Sequence, residues 1–275
     1  MGDEPQSGTL LSAHLWLRYG KKPPVLRDVD VDICRGEVLG LIGQSGSGKS
    51  TLALAILGLL DRKSAQVEGT VKFDGADLLR LSESDLRALR GRKLALVLQS
   101  PLSSLNPALK IRTQLKEAWR AHASGPKADC EAAIRAALES VTLPSTDDFL
   151  RKYPSQMSVG QAQRVLIAMA VMHRPALLIA DEATSALDVI TQSEILALFR
   201  ELNRSSGMSI LYISHDLASV AGICDRIAIL HEGQIVETGT TQQVLTSPRH
   251  DYTQRLMAAM PKMPQRLAAG KAASL

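Results

Sequence analysis

Aromatic residues are scarce in this chain: only 3% of its 275 residues are Phe, Trp or Tyr. Proteins that bind single-stranded nucleic acid stack bases on aromatic rings, so the composition argues against that class. Cysteine is equally sparse. Cys34, Cys130 and Cys224 are odd in number, far apart and outside any C-x-x-C spacing. That excludes a disulfide framework or a thiolate metal site and fits reduced, mostly buried thiols in a cytosolic protein. Long hydrophobic runs are missing too. A stretch such as "LALAILGLL" (Leu52–Leu60) is about half the length needed to cross a bilayer. The opening "MGDEPQSGTL" is acidic and polar and does not read as a secretory leader. Charge bias is weak: the net charge of +4 is spread along the chain, which argues against a dedicated DNA-binding face. It fits either simple solubility or a place beside polyanions or an acidic membrane surface.

What is present is a chain 45% hydrophobic and 22% charged, enough for one large or two small domains with a buried core. It carries no internal repeat and no low-complexity segment. From Leu10 to Ile33, "HLWLRY" and "VLRDVDVDI" flank the turn "GKKPP" and predict two antiparallel strands. "EVLGLIG" (Glu37–Gly43) predicts a buried strand running into a glycine-rich loop, with a helix from Lys49 to Leu60. "GTVKFDG" and "KLALVLQ" predict a strand pair around a helix that starts on a Ser82/Asp85 capping box. Between Pro101 and Lys152 the pattern is helical: Ile111, Leu115, Trp119 and His122, then Ile134, Leu138 and Val141. A helix to about His173, the strand "ALLIAD", a helix from Val189 to Ser205, the strand "MSILYIS", a helix near Asp216–Gly222 and the hairpin "RIAILHEGQIVETG" follow. Strand–helix alternation of this order predicts an α/β core with a parallel sheet and an inserted helical subdomain at about residues 100–173.

"GQSGSGKS" (Gly43–Ser50) fits G-x-x-x-x-G-K-[ST] and lies between a strand and a helix, the context that motif requires. A chance match in a chain this long has odds of roughly one in a hundred. Backbone N–H groups of Gly43, Gln44, Ser45, Gly46, Ser47 and Gly48 can face phosphate oxygens, reinforced by the helix N-terminus that begins with Lys49, Ser50 and Thr51. Lys49 is placed for the β- and γ-phosphates and the Ser50 hydroxyl for Mg²⁺. "ALLIADE" ends a buried strand in two acids. Alone these could equally cap a helix; beside a P-loop they read as a second metal ligand, Asp181, and a water-polarising carboxylate, Glu182. "YPSQMSVGQ" before a long helical run is by itself a loop and a capped helix.

The order of these elements is more specific than any one of them. A P-loop, Gln99 after a strand, "MSVGQ", "LLIADE", "SALD" and His215 after "LYIS" together resemble an ABC-transporter ATPase subunit, from about Leu10 to Pro261. The resemblance implies the ABC ATPase fold: a P-loop NTPase core with parallel sheet, an N-terminal antiparallel β subdomain and the helical insertion. It implies residues 1–262 as the ATP-binding domain; the composition after Pro261, rich in Ala with Lys and Gln, predicts 263–275 as a flexible tail. It also implies that Ser158, Gly160 and Gln161 of the signature loop hold the γ-phosphate of ATP on a second subunit, so that the site is split. By the same resemblance Gln99 senses Mg²⁺, Asp188 crosses the subunit interface and His215 contacts the γ-phosphate. Tyr19 either stacks on adenine or simply packs at a strand end. Val159 stands where the family has a first signature glycine, and Ala183 where it has a proline.

"LQSPLSSLNPALKI" and "SPRHDYTQRLMAAMP" resemble the oligopeptide/dipeptide/nickel importer branch, with Asp251 in place of a proline in its H-P-Y-T pattern. Some members carry a C-terminal cysteine cluster; this chain has no cysteine after Cys224, so no iron–sulfur centre is expected. The implied partners are a second ATPase subunit of the same or a related chain, two transmembrane permease subunits and, indirectly, a solute-binding protein, with no nucleic acid. The implied place is the cytoplasmic face of the inner membrane. A soluble ABC ATPase of DNA repair or translation is the alternative; the second cassette, coiled-coil insertion or zinc-binding cysteines of such proteins are not seen. Leu102, Leu105 and Leu109 are expected either to dock a permease helix or to pack the helical subdomain.

Overall fold

The computed structural model describes residues 8–61 and 63–259. The leader and flexible-tail expectations fall on termini outside the described residues.

Strand β1 (Thr9–Tyr19) buries Leu11, Ala13, Leu15 and Leu17 and turns His14 to solvent, the period-two alternation of a half-covered strand. It pairs antiparallel with β2 (Leu26–Cys34) and, on its other edge, with β4 (Ala65–Phe73). The short β5 (Ala76–Asp77) completes this sheet in the order β2-β1-β4-β5. A second sheet holds β3 (Val38–Ile42), β6 (Leu94–Val97), β7 (Leu177–Asp181), β8 (Ser209–Ser214), β9 (Arg226–His231) and β10 (Gln234–Thr240). Its order is β10-β9-β3-β8-β7-β6, parallel except for the β9–β10 hairpin. The expected pairing of "GTVKFDG" with "KLALVLQ" does not occur. β4 and β6 lie in different sheets, because β6 is apolar on both faces and finds its partner in β7.

The parallel strands are continuous apolar runs because both their faces are covered. Successive residues divide between two cores. Val38, Ile42, Leu178, Ala180, Ile210 and Tyr212 join the core under the helices, while Leu39, Leu41, Leu177, Ile179, Leu211 and Ile213 face the antiparallel sheet and the P-loop helix.

That helix, α1 (Lys49–Ile56), is shorter than predicted. Gly58 at φ 62° turns the chain before Leu60. Helix α2 (Glu83–Leu89) starts as expected, with Ser82 Oγ accepting the Asp85 N–H at 3.2 Å. The insertion comprises α3 (Pro101–Ser104), α4 (Ile111–Arg120), α5 (Lys127–Ser140) and α6 (Asp147–Leu150), and packs on α7 (Val159–Val171). Arg112 joins it internally, bridging Glu131 at 3.3 Å and Asp147 at 2.5 Å. Helices α8 (Val189–Ser206), α9 (Leu217–Ile223), α10 (Thr241–Thr246) and α11 (Asp251–Ala258) complete the described chain. Cys130 and Cys224 are buried and Cys34 is exposed; none is disulfide-bonded. Among the described residues no helix is long and apolar enough to cross a membrane.

Candidate ATP site at the carboxyl ends of the parallel strands

Open parallel sheets place ligands beyond the carboxyl ends of their strands. Here Ile42 of β3 pairs with Ser214 of β8, and Ile213 pairs with Asp181 of β7. The register therefore brings the loop after Ile42, the acids at the end of β7 and His215 after β8 to one sheet edge.

The loop from Gly43 to Gly48 closes into α1. Gly48, its N-cap, sits at φ 109°, and a Cβ there would lie 2.8 Å from Leu26 Cδ2, so the tight entry requires glycine. Gln44, Ser45, Gly46 and Ser50 are exposed, Thr51 is half-buried, and Gly43, Ser47, Gly48 and Lys49 are buried. The Lys49 ammonium donates to the Gly43 carbonyl at 2.8 Å and the Gln44 carbonyl at 3.1 Å. Burial lowers its pKa, and the nearby Glu182 and Asp181 carboxylates partly restore it.

Asp181 ends β7 with its carboxyl pKa raised. Burial is the main cause, eased by the Ser50 hydroxyl, reinforced by Glu182 and eased again by Lys49. Two buried oxygens in this site, Asp181 Oδ1 and Ser47 Oγ, have no hydrogen-bond partner among the described residues. A buried carboxylate oxygen beside a hydroxyl is a donor set suited to a hard cation such as Mg²⁺, and a buried lysine at the mouth of a glycine-rich loop suits phosphate. The residues present fit both.

Glu182 follows at φ 49°, a left-handed conformation uncommon outside glycine and one that functional sites often hold. Its N–H donates to the Ile213 carbonyl at 3.0 Å. Its Oε1 lies 3.3 Å from His215 Nδ1, with the carboxylate side chain 22% and the imidazole 59% exposed. Gln99 is exposed just after β6, and Tyr19 is half-buried at the end of β1, packed against the core between the antiparallel sheet and the P-loop helix. The sequence-predicted residues of P-loop, β7 end and His215 are thus brought together.

Ser158, Gly160 and Gln161 are placed elsewhere. Ser158 is the N-cap of α7: its Oγ accepts the Gln161 N–H at 3.2 Å, and Gln161 Oε1 accepts the Ser158 N–H at 3.3 Å. The loop-and-cap reading of this segment is therefore correct as local structure. Among the described residues no hydrogen bond or ion pair joins this box to the P-loop. Gly160 abuts α8, where a Cβ would lie 2.6 Å from Thr191 Cγ2. Asp188 caps α8 through Ile190 N–H at 3.1 Å and Thr191 N–H at 3.0 Å. Those hydrogen bonds, led by the Thr191 N–H, hold its carboxyl below the usual range. Next to this cap Val159, Val189 and Ile190 stand 37%, 81% and 73% exposed.

One group of buried hydroxyls around Tyr212 was not singled out from the sequence. The available signal was a tyrosine inside the aliphatic run "SILYIS", since a buried phenol requires a partner.

Comparison with known proteins agrees with this geometry. The model of the family described as "ABC transporter" matches residues 26–185. The chain belongs to the ABC transporter family. A second model, "Oligopeptide/dipeptide transporter, C-terminal region", matches residues 236–274. The chain is 41% identical over 91% of its length to the dipeptide transport ATP-binding protein DppD of Escherichia coli, of which it covers 78%. To DppD of Bacillus subtilis it is 39% identical over 89% of its length, covering 73% of that protein. Among solved structures, the ATP-binding cassette MJ0796, a dimer in a post-hydrolysis state bound to ADP and Pi, aligns with TM-score 0.70 and 26% identity. The alignment spans 82% of this chain and 98% of that one. CbiO1 of Clostridium perfringens, part of the ABC transporter complex cbiONQ, gives TM-score 0.74 at 26% identity over 87% and 92% of the two chains. As an ABC family member this chain is an ATP-binding, ATP-hydrolysing subunit of an importer, with the expected ABC ATPase fold. The repair or translation alternative is not favoured.

Proposed function

We propose that this chain powers the uptake of peptides, nickel or a related small solute by hydrolysing ATP at the strand ends described above. The observation that carries the substrate class is the match of residues 236–274 to the oligopeptide/dipeptide C-terminal model, with DppD proteins among the relatives.

In this reading the loop Gly43–Thr51 cradles the triphosphate through N–H groups, and Lys49 exchanges its two carbonyl partners for phosphate oxygens. Tyr19 stacks on the adenine. Ser50, Asp181 and Gln99 hold Mg²⁺, which when bound neutralises charge on the β- and γ-phosphates. Glu182 accepts a proton from the attacking water, and His215, already beside it, contacts the γ-phosphate. Ser158, Gly160 and Gln161 complete the site of a second ATPase subunit, with Asp188 at the shared face. The exposed Val159, Val189 and Ile190 around that cap support an interface there, because apolar side chains so placed gain by being covered.

Two permease subunits receive the motion, and a solute-binding protein presents the cargo, with this subunit peripheral on the cytoplasmic face. Leu59, Leu98 and Leu102, at 46%, 45% and 45% exposure, are the apolar positions offered to a permease helix. Of the two expected roles, Leu105 takes the packing one: it is 2% exposed and belongs to the core. Reconstitution in vesicles with the cognate permeases, partner ATPase and solute-binding protein tests the reading. ATP-dependent uptake of a labelled dipeptide, absent in the Lys49→Ala complex, supports it. Uptake of none of a panel of peptides and nickel chelates, by a complex that hydrolyses ATP, overturns it.

A further inference from the structure

Glu182 sits in a strained backbone conformation at φ 49°, and such a residue persists only where its surroundings over-determine it. Its own contacts are few: its N–H donates to Ile213, and its carbonyl accepts the Ser185 N–H at 3.1 Å and Ser185 Oγ at 3.0 Å. Ala183, where the family has proline, leaves the following φ unrestrained by a ring. What fixes this segment lies beneath it.

Thr184, Tyr212, Ser214 and Ser219 are 3%, 0%, 5% and 2% exposed, four buried hydroxyls on three separate segments. Thr184 Oγ1 lies 2.9 Å from the Tyr212 hydroxyl, which donates to Ser219 Oγ at 3.3 Å. Ser219 Oγ in turn donates to the Asp216 carbonyl at 2.7 Å. Ser214 Oγ lies 3.3 Å from Ser219 Oγ and accepts the Asp216 N–H at 3.0 Å. Each hydroxyl has one proton, so the chain has one consistent direction: Thr184 to Tyr212 to Ser219 to Asp216, with Ser214 donating to Ser219. One end is two residues after Glu182. The other end is Ser214 and Asp216, the two residues that flank His215. From α8, Gln192 Nε2 also donates to Asp216 Oδ2 at 3.0 Å.

We propose that Tyr212 is a positioning residue for ATP hydrolysis: through Thr184 and Ser219 its hydroxyl locks the segment carrying Glu182 to the segment carrying His215, and so fixes the 3.3 Å Glu182–His215 pair. A fully satisfied buried network holds one geometry, whereas a network missing one member does not. The inference rests on the proposed roles of Glu182 and His215. It adds that their alignment depends on a chain of buried hydroxyls beneath the two side chains.

The test uses the full-length chain assembled with its transport partners. Tyr212→Phe keeps the ring and removes the link. It is expected to lower kcat for ATP hydrolysis by about tenfold or more, the scale of a misplaced catalytic group, with KM for ATP within about twofold of wild type. Thr184→Val should reproduce the loss and Thr184→Ser should retain activity. Tyr212→Phe combined with Ser219→Ala should be no slower than Tyr212→Phe alone, because both cut one chain. Should Tyr212→Phe not fold, the Thr184→Val and Thr184→Ser pair decides. A Glu182→Gln complex run in parallel separates the two levels: wild-type turnover there defeats the underlying site assignment. Loss in Glu182→Gln with wild-type kcat in Tyr212→Phe and Thr184→Val, or a parallel loss of ATP binding in those variants, overturns the positioning role.

Discussion

The Lys49 ammonium donates to the Gly43 carbonyl at 2.8 Å, so the loop holds in place the lysine proposed to meet the phosphates. A hydrogen bond to a charged group contributes about 1.5–3 kcal/mol, and removing this charge takes that contribution from the bound nucleotide. Lys49→Ala is therefore expected to weaken ATP binding by about tenfold to a hundredfold. Calorimetric titration of the full chain with ATP checks this; unchanged affinity would show that the phosphates bind elsewhere.

Asp181 gives a pH-dependent prediction. Its pKa in the folded chain is raised, chiefly by burial. A carboxyl with a raised folded pKa contributes stability that is fully present below its unfolded value, about 3.9, and lost as pH rises through the folded value. Near pH 7 its charge is thus a cost to the nucleotide-free fold. Asp181→Asn should raise the melting temperature at pH 7 by on the order of 2 °C, with the gain shrinking toward pH 4. The same variant should lose the extra stabilisation that Mg²⁺ adds to ATP. Thermal melts at both pH values, with and without Mg-ATP, measure both parts. A lower melting temperature at pH 7 would contradict the account.

A carboxylate and a stacked ring both anchor the start of α11, the last helix of the described residues. Glu237 accepts the Arg249 N–H at 2.8 Å and the His250 N–H at 3.0 Å, and the Tyr252 ring stacks on His231 at 3.7 Å. Burial pushes the Glu237 pKa up, but hydrogen bonds led by the Arg249 N–H outweigh it and leave the pKa lowered. Its contribution is then present above the unfolded value, about 4.3, and lost as pH falls through the folded one. Glu237→Gln should speed amide exchange in residues 249–258 at pH 7 while leaving the parallel strands protected. Unchanged exchange in that segment would show that the stacked ring and the core packing of Leu256 and Met257 hold α11 without the carboxylate.

Single cysteines at Leu59, Leu98 and Leu102, with Cys34, Cys130 and Cys224 replaced, should crosslink to cysteines in the permease loops in a pattern that changes with ATP. A cysteine at Leu105 should not, since that side chain is enclosed. Crosslinking at Leu105 but none at Leu102 would reverse the proposed docking face.

Much of this was legible in the sequence because local patterns carry their own geometry. The P-loop, the acids ending "LLIADE" and the Ser158 cap each lie where spacing placed them. What spacing could not give was sheet membership. "GTVKFDG" and "KLALVLQ" look like neighbours along the chain, yet burial on both faces of β6 sends it to β7 in the other sheet. Solvent exposure was equally hidden: Leu102 and Leu105 are three residues apart, but the chain turns at Leu105 and buries it. The Thr184–Tyr212–Ser219 hydroxyls meet only because β8, α9 and the segment after β7 converge, a long-range event that no local pattern records.

In the proposed reading one chain carries two half-sites that become whole only against a second ATPase subunit. Glu182→Gln keeps the side-chain shape and removes the proposed base, so ATP should bind without being consumed and hold two subunits together. The decisive measurement is multi-angle light scattering of Glu182→Gln with and without Mg-ATP, alone and mixed with the related ATPase subunit. The account predicts a doubling of mass that requires ATP and is lost when Ser158→Arg is added. A mass that stays monomeric in every nucleotide condition and mixture would contradict it.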